Sequence, residues 1–303
     1  MRPTHPIPNN FSRESWTIRQ ALGWATSCLQ SAELPDPRLS AELLLGSILG
    51  LDRSGLLLAY DQPIQEADRG NFKEKVGQRS EQKPIAYLTG RKEFWSLDFE
   101  VSPDVLIPRP ETELLVEETI LILSSRAGQA TVVELGTGSG AVIVALAKSL
   151  FPLKKTRFLA TDRSRRALET AGKNAAYHQV KDLISFIQGD WLTPFSIKKR
   201  WIDVLVSNPP YIAEADVAHL PPSVQAFEPR GALCGGEDGL EAIRLIIQQA
   251  GEQLKTGGWL LLEIGETQAA EVLQFAHDHS FDHTTIRRDY SGKDRILKAC
   301  YHG

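Results

Sequence analysis

Long apolar runs are missing from this 303-residue sequence: no stretch approaches the roughly 18–20 consecutive apolar residues that cross a bilayer, so no membrane partner is expected. Cysteine is scarce. Cys28, Cys234 and Cys300 stand far apart without a CxxC spacing, which argues against a disulfide framework or a cysteine-based metal set and for reduced thiols in a cytosolic protein. A basic surplus is missing too. Residues 1–85 carry ten basic and ten acidic side chains, residues 86–303 carry 24 and 28, and the whole chain stands at −4. A protein that follows a nucleic-acid backbone normally shows a basic excess on the domain responsible, so no direct nucleic-acid partner is expected. The basic clusters RSRR (163–166) and KKR (198–200) read as solvated faces. The opening MRPTHPIPNNFSRES has no apolar core and does not read as a secretory signal, although its two arginines and one acid leave a transit peptide open. A cytoplasmic, bacterial location and a monomer are the expectations, with an organelle left open and nothing in the residues fixing the oligomeric state.

What is present is ordinary globular composition, 42% hydrophobic and 24% charged, in a chain long enough for two domains. Residues 16–80 read as short amphipathic helices. IRQALGWATSCL sets Ile18, Ala21, Leu22, Ala25 and Leu29 at helical spacing, and DPRLSAELLLGSIL opens with Asp36 as N-cap and Pro37 at the first helical position. No constellation of reactive side chains lies among them, so residues 1–85 are expected to form a helical substrate-docking domain. Residues 86–109 then change texture. EFWSLDFEVSP alternates like a β-hairpin and is expected to link the domains. LIPRPETELLVEETI starts a helix at Pro110, with Arg109 or Glu111 as possible lining of a site.

Residues 110–303 alternate β and α: TVVELG, RFLATD, SFIQGD, WIDVLVS and WLLLEIG as strands with helices between, then HTTIRRD and RILKAC. This alternation predicts an α/β, Rossmann-like, mostly parallel sheet whose ligand lies beyond the carboxyl ends of the strands. ELGTGSGA joins the first of these strands to its helix, and Gly136, Thr137, Gly138, Ser139 and Gly140 let backbone approach a ligand at a helix N-terminus. GxGxxA is also satisfied by Gly136, Gly138 and Ala141, so a nicotinamide cofactor stays open. Asp162, ending LATD, suits ribose hydroxyls. Asp190 and Trp191, in QGDW, suit the amine and the face of adenine. Each could instead be an ordinary strand-end acid or packed indole. HDHSFDH groups His277, His279 and His283, which read as surface rather than as a metal site.

SNPPYI (207–212) follows the fourth strand. Pro209 and Pro210 stop the strand and hold the loop in one shape, and Asn208 before them is pushed to extended conformations. A plain strand terminator would explain the prolines alone. If the cofactor is a methyl sulfonium such as S-adenosylmethionine, the turn has a further use. A planar amine attacks poorly because its lone pair is delocalised. Asn208 Oδ1 and the Pro209 carbonyl could bind both its N–H groups and orient that lone pair, with Tyr211 packing against the flat group. Hydride transfer has no use for such a turn.

SNPPYI after ELGTGSGA resembles the class I methyltransferases that modify planar nitrogen. With LIPRPETE, EFWSLDF, EPRGALCGGEDGL and DYSGKDRIL, the chain from about residue 16 is similar to the peptide chain release factor glutamine N5-methyltransferase family in particular. The resemblance implies a helical N-terminal domain that helps hold a release factor, and a catalytic domain that methylates the glutamine of its Gly-Gly-Gln loop with S-adenosylmethionine. It implies cofactor contacts at Gly136 to Gly140, Asp162, Trp191 and Asn208, and substrate contacts at Asn208, Pro209, Pro210 and Tyr211. Glu134 departs from the commoner aspartate but keeps the carboxylate. A ribosomal-protein glutamine methyltransferase shares the turn and stays an alternative. A DNA adenine N6-methyltransferase fits the neutral charge less well, a dehydrogenase leaves the turn unexplained, and a non-catalytic module leaves the site idle.

Overall fold

IRQALGWATSCLQS folds into α1 (Ile18–Ser31), buries the five apolar residues expected of it, and is closed at its start by a reciprocal cap. Thr17 Oγ1 accepts from the Gln20 amide at 3.3 Å and Gln20 Oε1 accepts from the Thr17 amide at 2.8 Å. α2 (Pro37–Leu49) starts where predicted, but Asp36 does not cap it through its side chain. Its backbone is left-handed (φ 49°) and no cap hydrogen bond forms, so Pro37 marks the start. α3 (Arg53–Leu58), α4 (Glu66–Ser80) and α5 (Ile85–Thr89) follow. This computed structural model describes residues 16–151, 155–195 and 200–303. The opening stretch 1–15 and the first two residues of the KKR cluster lie outside them.

Contacts divide the chain into two units. The first runs to Gly90 and takes in Pro222–Phe227, and the second comprises Arg91–Pro221 and Glu228–Gly303. The first unit packs Leu22, Leu44, Leu45, Leu56 and Phe72 into a core of its own. Leu88 joins that core, which carries the unit past residue 85.

In the second unit, β1 (Arg91–Phe94) and β2 (Leu97–Glu100) form the expected hairpin. Phe94 and Phe99 are fully buried in the core of this unit, so the hairpin is part of it and not a free link. A 3-10 turn at Pro110–Thr112 leads into α6 (Glu113–Ser124). Then come β3 (Ala130–Leu135), α7 (Ala141–Leu150), β4 (Thr156–Asp162), α8 (Arg165–Tyr177), β5 (Ile184–Gln188) and β6 (Ile202–Ser207). α9 (Glu214–Val217), α11 (Glu241–Gln253), β7 (Leu254–Glu263), α12 (Ala269–Asp278), β8 (Phe281–Arg288) and β9 (Asp294–Tyr301) complete it, while α10 (Pro222–Gln225), between α9 and α11 in the chain, belongs to the first unit. The sheet order is β5-β4-β3-β6-β7-β9-β8. β5, β4, β3, β6 and β7 are parallel, while β9 runs antiparallel to both β7 and β8. The hairpin, α6 and α7 cover one face and α11 and α12 the other, as a doubly covered parallel sheet requires. No helix among the described residues is long and apolar enough to cross a membrane.

Candidate active site

The five parallel strands end on one edge, and the predicted residues follow their carboxyl ends. After β3, Gly136, Gly138 and Gly140 all have positive φ (67°, 54° and 79°), which an L side chain rarely adopts. Gly140 is also a close-packing position, since a Cβ there would lie 2.9 Å from that of Ala171 on α8. The loop is pinned from below. Thr137 donates its amide to the Thr161 carbonyl (2.9 Å), and buried Asn174 donates to the carbonyls of Ser139 and Glu100, both at 2.9 Å.

Two carboxyls support the loop. Glu134 Oε2 accepts from Thr137 Oγ1 (2.5 Å) and the Ile143 amide (3.2 Å), and burial raises its pKa to about 8. Asp162 Oδ2 accepts from the Gly138 amide (2.9 Å) and Oδ1 from the Ser164 amide (2.8 Å). Burial raises the Asp162 pKa and these amides counter it. A carboxylate has about four acceptor sites, so two remain for a ligand. After β5, Asp190 is exposed, and the Trp191 ring lies 3.5 Å from where a Gly136 Cβ would stand.

The proline turn is held from several sides. Ser207 Oγ donates to the Leu135 carbonyl (2.8 Å), tying the ends of β6 and β3. Asn208 donates its Nδ2 to Thr112 Oγ1 (3.2 Å), and Thr112 donates in turn to Glu263 Oε2 (2.6 Å). Tyr211 donates its hydroxyl to Glu263 Oε1 (3.3 Å), and burial, reinforced by Glu263, raises the phenol's pKa. Glu263 is fully buried and its own pKa rises to about 7. The glycines of EPRGALCGGEDGL back the turn: a Cβ at Gly235 would stand 2.5 Å from the Pro210 carbonyl oxygen, and one at Gly239 2.4 Å from that of Tyr211. Gln268 Nε2 donates to the carbonyls of both Tyr211 (3.0 Å) and Gly239 (3.2 Å).

A cavity of about 480 Å³ opens on this edge, within the range of small-molecule sites. The glycine loop from Gly136 to Ser139, Asp162, Asp190, Trp191, Asn208 and Pro210 line it together. Gly140, Pro209 and Tyr211 are not on its wall. Gly140 caps α7, Pro209 is buried, and the Tyr211 hydroxyl turns to Glu263. From PRPETE it is Pro108 and Thr112 that line the cavity, not Arg109 or Glu111. Arg109 pairs with buried Glu228 at 2.5 Å, and Glu228 also accepts from the Ile107 amide. Thr112, Glu263, Glu228 and Gln268 escaped the sequence reading. EIG at the end of a strand was the one available signal for Glu263. Among the described residues no group of side chains could hold a metal ion, and His279 bonds to the Phe275 carbonyl.

A loop with three glycines, a half-buried carboxylate with open acceptor sites and a flat indole fit a nucleoside-bearing cofactor. A family model described as a methyltransferase domain matches residues 127–288, and one described as the PrmC N-terminal domain matches residues 20–90. The fold is that of the hMettl16 catalytic domain, solved in complex with MAT2A 3′UTR hairpin 6. The TM-score is 0.55 at 16% identity, over 79% of this chain and 83% of that one. The sheet and site therefore define a class I methyltransferase, which uses S-adenosylmethionine. A release factor glutamine methyltransferase of Geobacter sulfurreducens is 38% identical, over 94% of this chain and 96% of its own length. One of Nitratidesulfovibrio vulgaris is 40% identical over 96% and 97%. The chain belongs to the release factor glutamine methyltransferase family.

Proposed function

We propose that the protein methylates the side-chain amide nitrogen of the glutamine in the Gly-Gly-Gln motif of peptide chain release factors, in a bacterial cytoplasm. The observation that carries this is Asn208. It borders the same cavity as the glycine loop and Asp162, and its Nδ2 is committed to Thr112. Among the described residues Oδ1 has no donor, so it is the acceptor on offer.

S-adenosylmethionine, when bound, supplies a methyl group activated by its sulfonium and leaves as S-adenosylhomocysteine. Gly136, Thr137, Gly138 and Ser139 give it room along their backbone, and Gly140 holds the loop at the start of α7. Asp162 takes the ribose hydroxyls, Asp190 the exocyclic amine, and Trp191 covers the base. Asn208 Oδ1 and the Pro209 carbonyl accept the two N–H groups of the substrate amide, which favours the pyramidal nitrogen whose lone pair points at the methyl. Pro209 and Pro210 keep that carbonyl still, and Tyr211 packs near the flat group. Held against Asp162 and the glycine loop, the sulfonium would give up its methyl to the nitrogen that Asn208 and Pro209 orient, its bonding pair staying on sulfur. The nitrogen, made acidic, releases a proton to solvent, so no strong general base is needed. The helical first unit serves as a second docking surface for the release factor, and the enzyme works as a monomer without direct nucleic-acid contact.

The test is incubation with methyl-labelled S-adenosylmethionine and, separately, a release factor, ribosomal protein and duplex DNA, with mass mapping of the labelled residue. Label on the Gly-Gly-Gln glutamine is expected, and label confined to ribosomal protein or adenine would overturn the assignment. Asn208→Ala should lower turnover about 10²–10³-fold with little loss of cofactor affinity, because its acceptor acts mainly in the transition state.

A further inference from the structure

Asn208 has an amide whose two ends differ little in shape, so something must decide which end faces the substrate. The sheet register supplies a neighbour. Leu262 of β7 lies opposite Ser207 of β6, and Glu263 and Asn208 are the next residues on each. Thr112, from the turn before α6, bridges them. A hydroxyl has one hydrogen, and that of Thr112 goes to Glu263 Oε2 at 2.6 Å. Thr112 Oγ1 can then only accept from Asn208, whose Nδ2 stands 3.2 Å away. Turning the amide over would set its oxygen against the oxygen of Thr112. Glu263 is 1% exposed and Thr112 4%, so water does not stand in for either. The other oxygen of Glu263 accepts from Tyr211, which holds the carboxylate in place.

We propose that Glu263, acting through the Thr112 hydroxyl, is a positioning residue that fixes the amide polarity of Asn208 and so presents Oδ1 to the substrate. This rests on the methyl-transfer role given to Asn208 above. An ionised Glu263 can only accept. Protonated on Oε2, it would donate to Thr112, freeing the hydroxyl hydrogen to bond an oxygen of Asn208 and turning the amide over. Burial brings this carboxyl to about 7, so the change falls near neutrality. The groups that face it are Thr112 and Glu111 from the turn before α6, Tyr211 from the proline turn and Arg295 from β9; Thr112, Arg295 and Tyr211 favour the ionised form and Glu111 opposes it.

A double-mutant cycle on the full chain tests this, with labelled S-adenosylmethionine and a release factor as substrates. Thr112→Val should lower kcat about tenfold to a hundredfold, the range of a lost hydrogen bond near a charge, with KM for S-adenosylmethionine nearly unchanged. Thr112→Ser should restore most of the rate. In an Asn208→Ala background Thr112→Val should cost nothing further, because the hydroxyl would have no amide left to orient. An equal loss in both backgrounds overturns the proposal. If Thr112→Val does not fold, the pH profile decides: wild-type kcat should rise through about pH 7, and Glu263→Gln, which does not ionise, should lack that limb. The same limb in both proteins, or none in the wild type, also overturns it. If the wild type methylates glutamine and Asn208→Ala collapses while Thr112→Val turns over normally, the positioning role alone falls. If the wild type methylates no glutamine, the function proposed above falls and this role with it.

Discussion

Glu134 and Glu263 are carboxyls that folding takes out of water, and that has a measurable cost as they ionise. Burial raises them from 4.5 to about 8 and about 7. The folded state therefore holds protons that the unfolded chain has already lost. The contribution of these two groups to stability is fullest below about pH 4.5 and is lost as pH rises through 7 and 8. Urea midpoints at pH 5.5, 7 and 8.5, each an assay choice of about that value, should decline for the wild type and decline less for Glu134→Gln with Glu263→Gln. An unchanged slope in the double variant would contradict the assignment. Asp162 gives the second residue-scale expectation. S-adenosylmethionine at about 100 times its Kd should stabilise the protein by about 2.7 kcal/mol in a thermal melt, and NAD should not. Asp162→Ala should shrink the S-adenosylmethionine shift. At this scale the sequence is legible where the candidates sit in contiguous words: Gly136 to Ser139 of ELGTGSGA, Asp162 of LATD and Asp190 and Trp191 of QGDW line one cavity, though Gly140 does not. The sequence is blind to Thr112 and Glu263, which are 151 positions apart and meet only through sheet register.

The elements around the proline turn behave as one clamp. EPRGALCGGEDGL looked like a family word in the sequence, with no physical job. Folded, Gly235 and Gly239 let the Pro210 and Tyr211 carbonyls of the proline turn approach where a side chain could not fit, and Gln268 ties the two segments together. Gly239→Ala is the informative change, because Gly239 has φ 78° and stands behind Tyr211 but is not on the cavity wall. It should destabilise the protein by about 1–3 kcal/mol and lower kcat by shifting the turn, while S-adenosylmethionine affinity stays near the wild-type value. Calorimetric titration beside steady-state rates would separate the two, and a variant that loses cofactor affinity first would show that the clamp serves the glycine loop instead. The strand and helix succession was legible because alternation is a local pattern. The hairpin's place in the second unit was not, since it depends on Phe94 and Phe99 finding the core made by α6 and α7.

At the scale of the molecule, the two units divide the labour proposed for them. Every residue lining the cavity belongs to the second unit, so a chain beginning at Arg91 should still bind S-adenosylmethionine. It should methylate an intact release factor poorly, having lost one docking surface, and a free Gly-Gly-Gln peptide about as well as the full chain does. Equal rates on the intact factor would leave the helical unit without its role. Pro222–Phe227 groups with that first unit, so its removal also strips the segment of its packing. The sheet order carries a separate consequence, for assembly. β8 reaches the sheet only through β9, which lies between it and β7. The β8–β9 ribbon is local in sequence and can close within microseconds, whereas its docking on β7 must bridge a longer loop. Until it docks, β7 presents a bare apolar edge beside its own newly formed neighbours. The slow, aggregation-exposed moment in the life of this chain is thus expected at the arrival of its last ribbon.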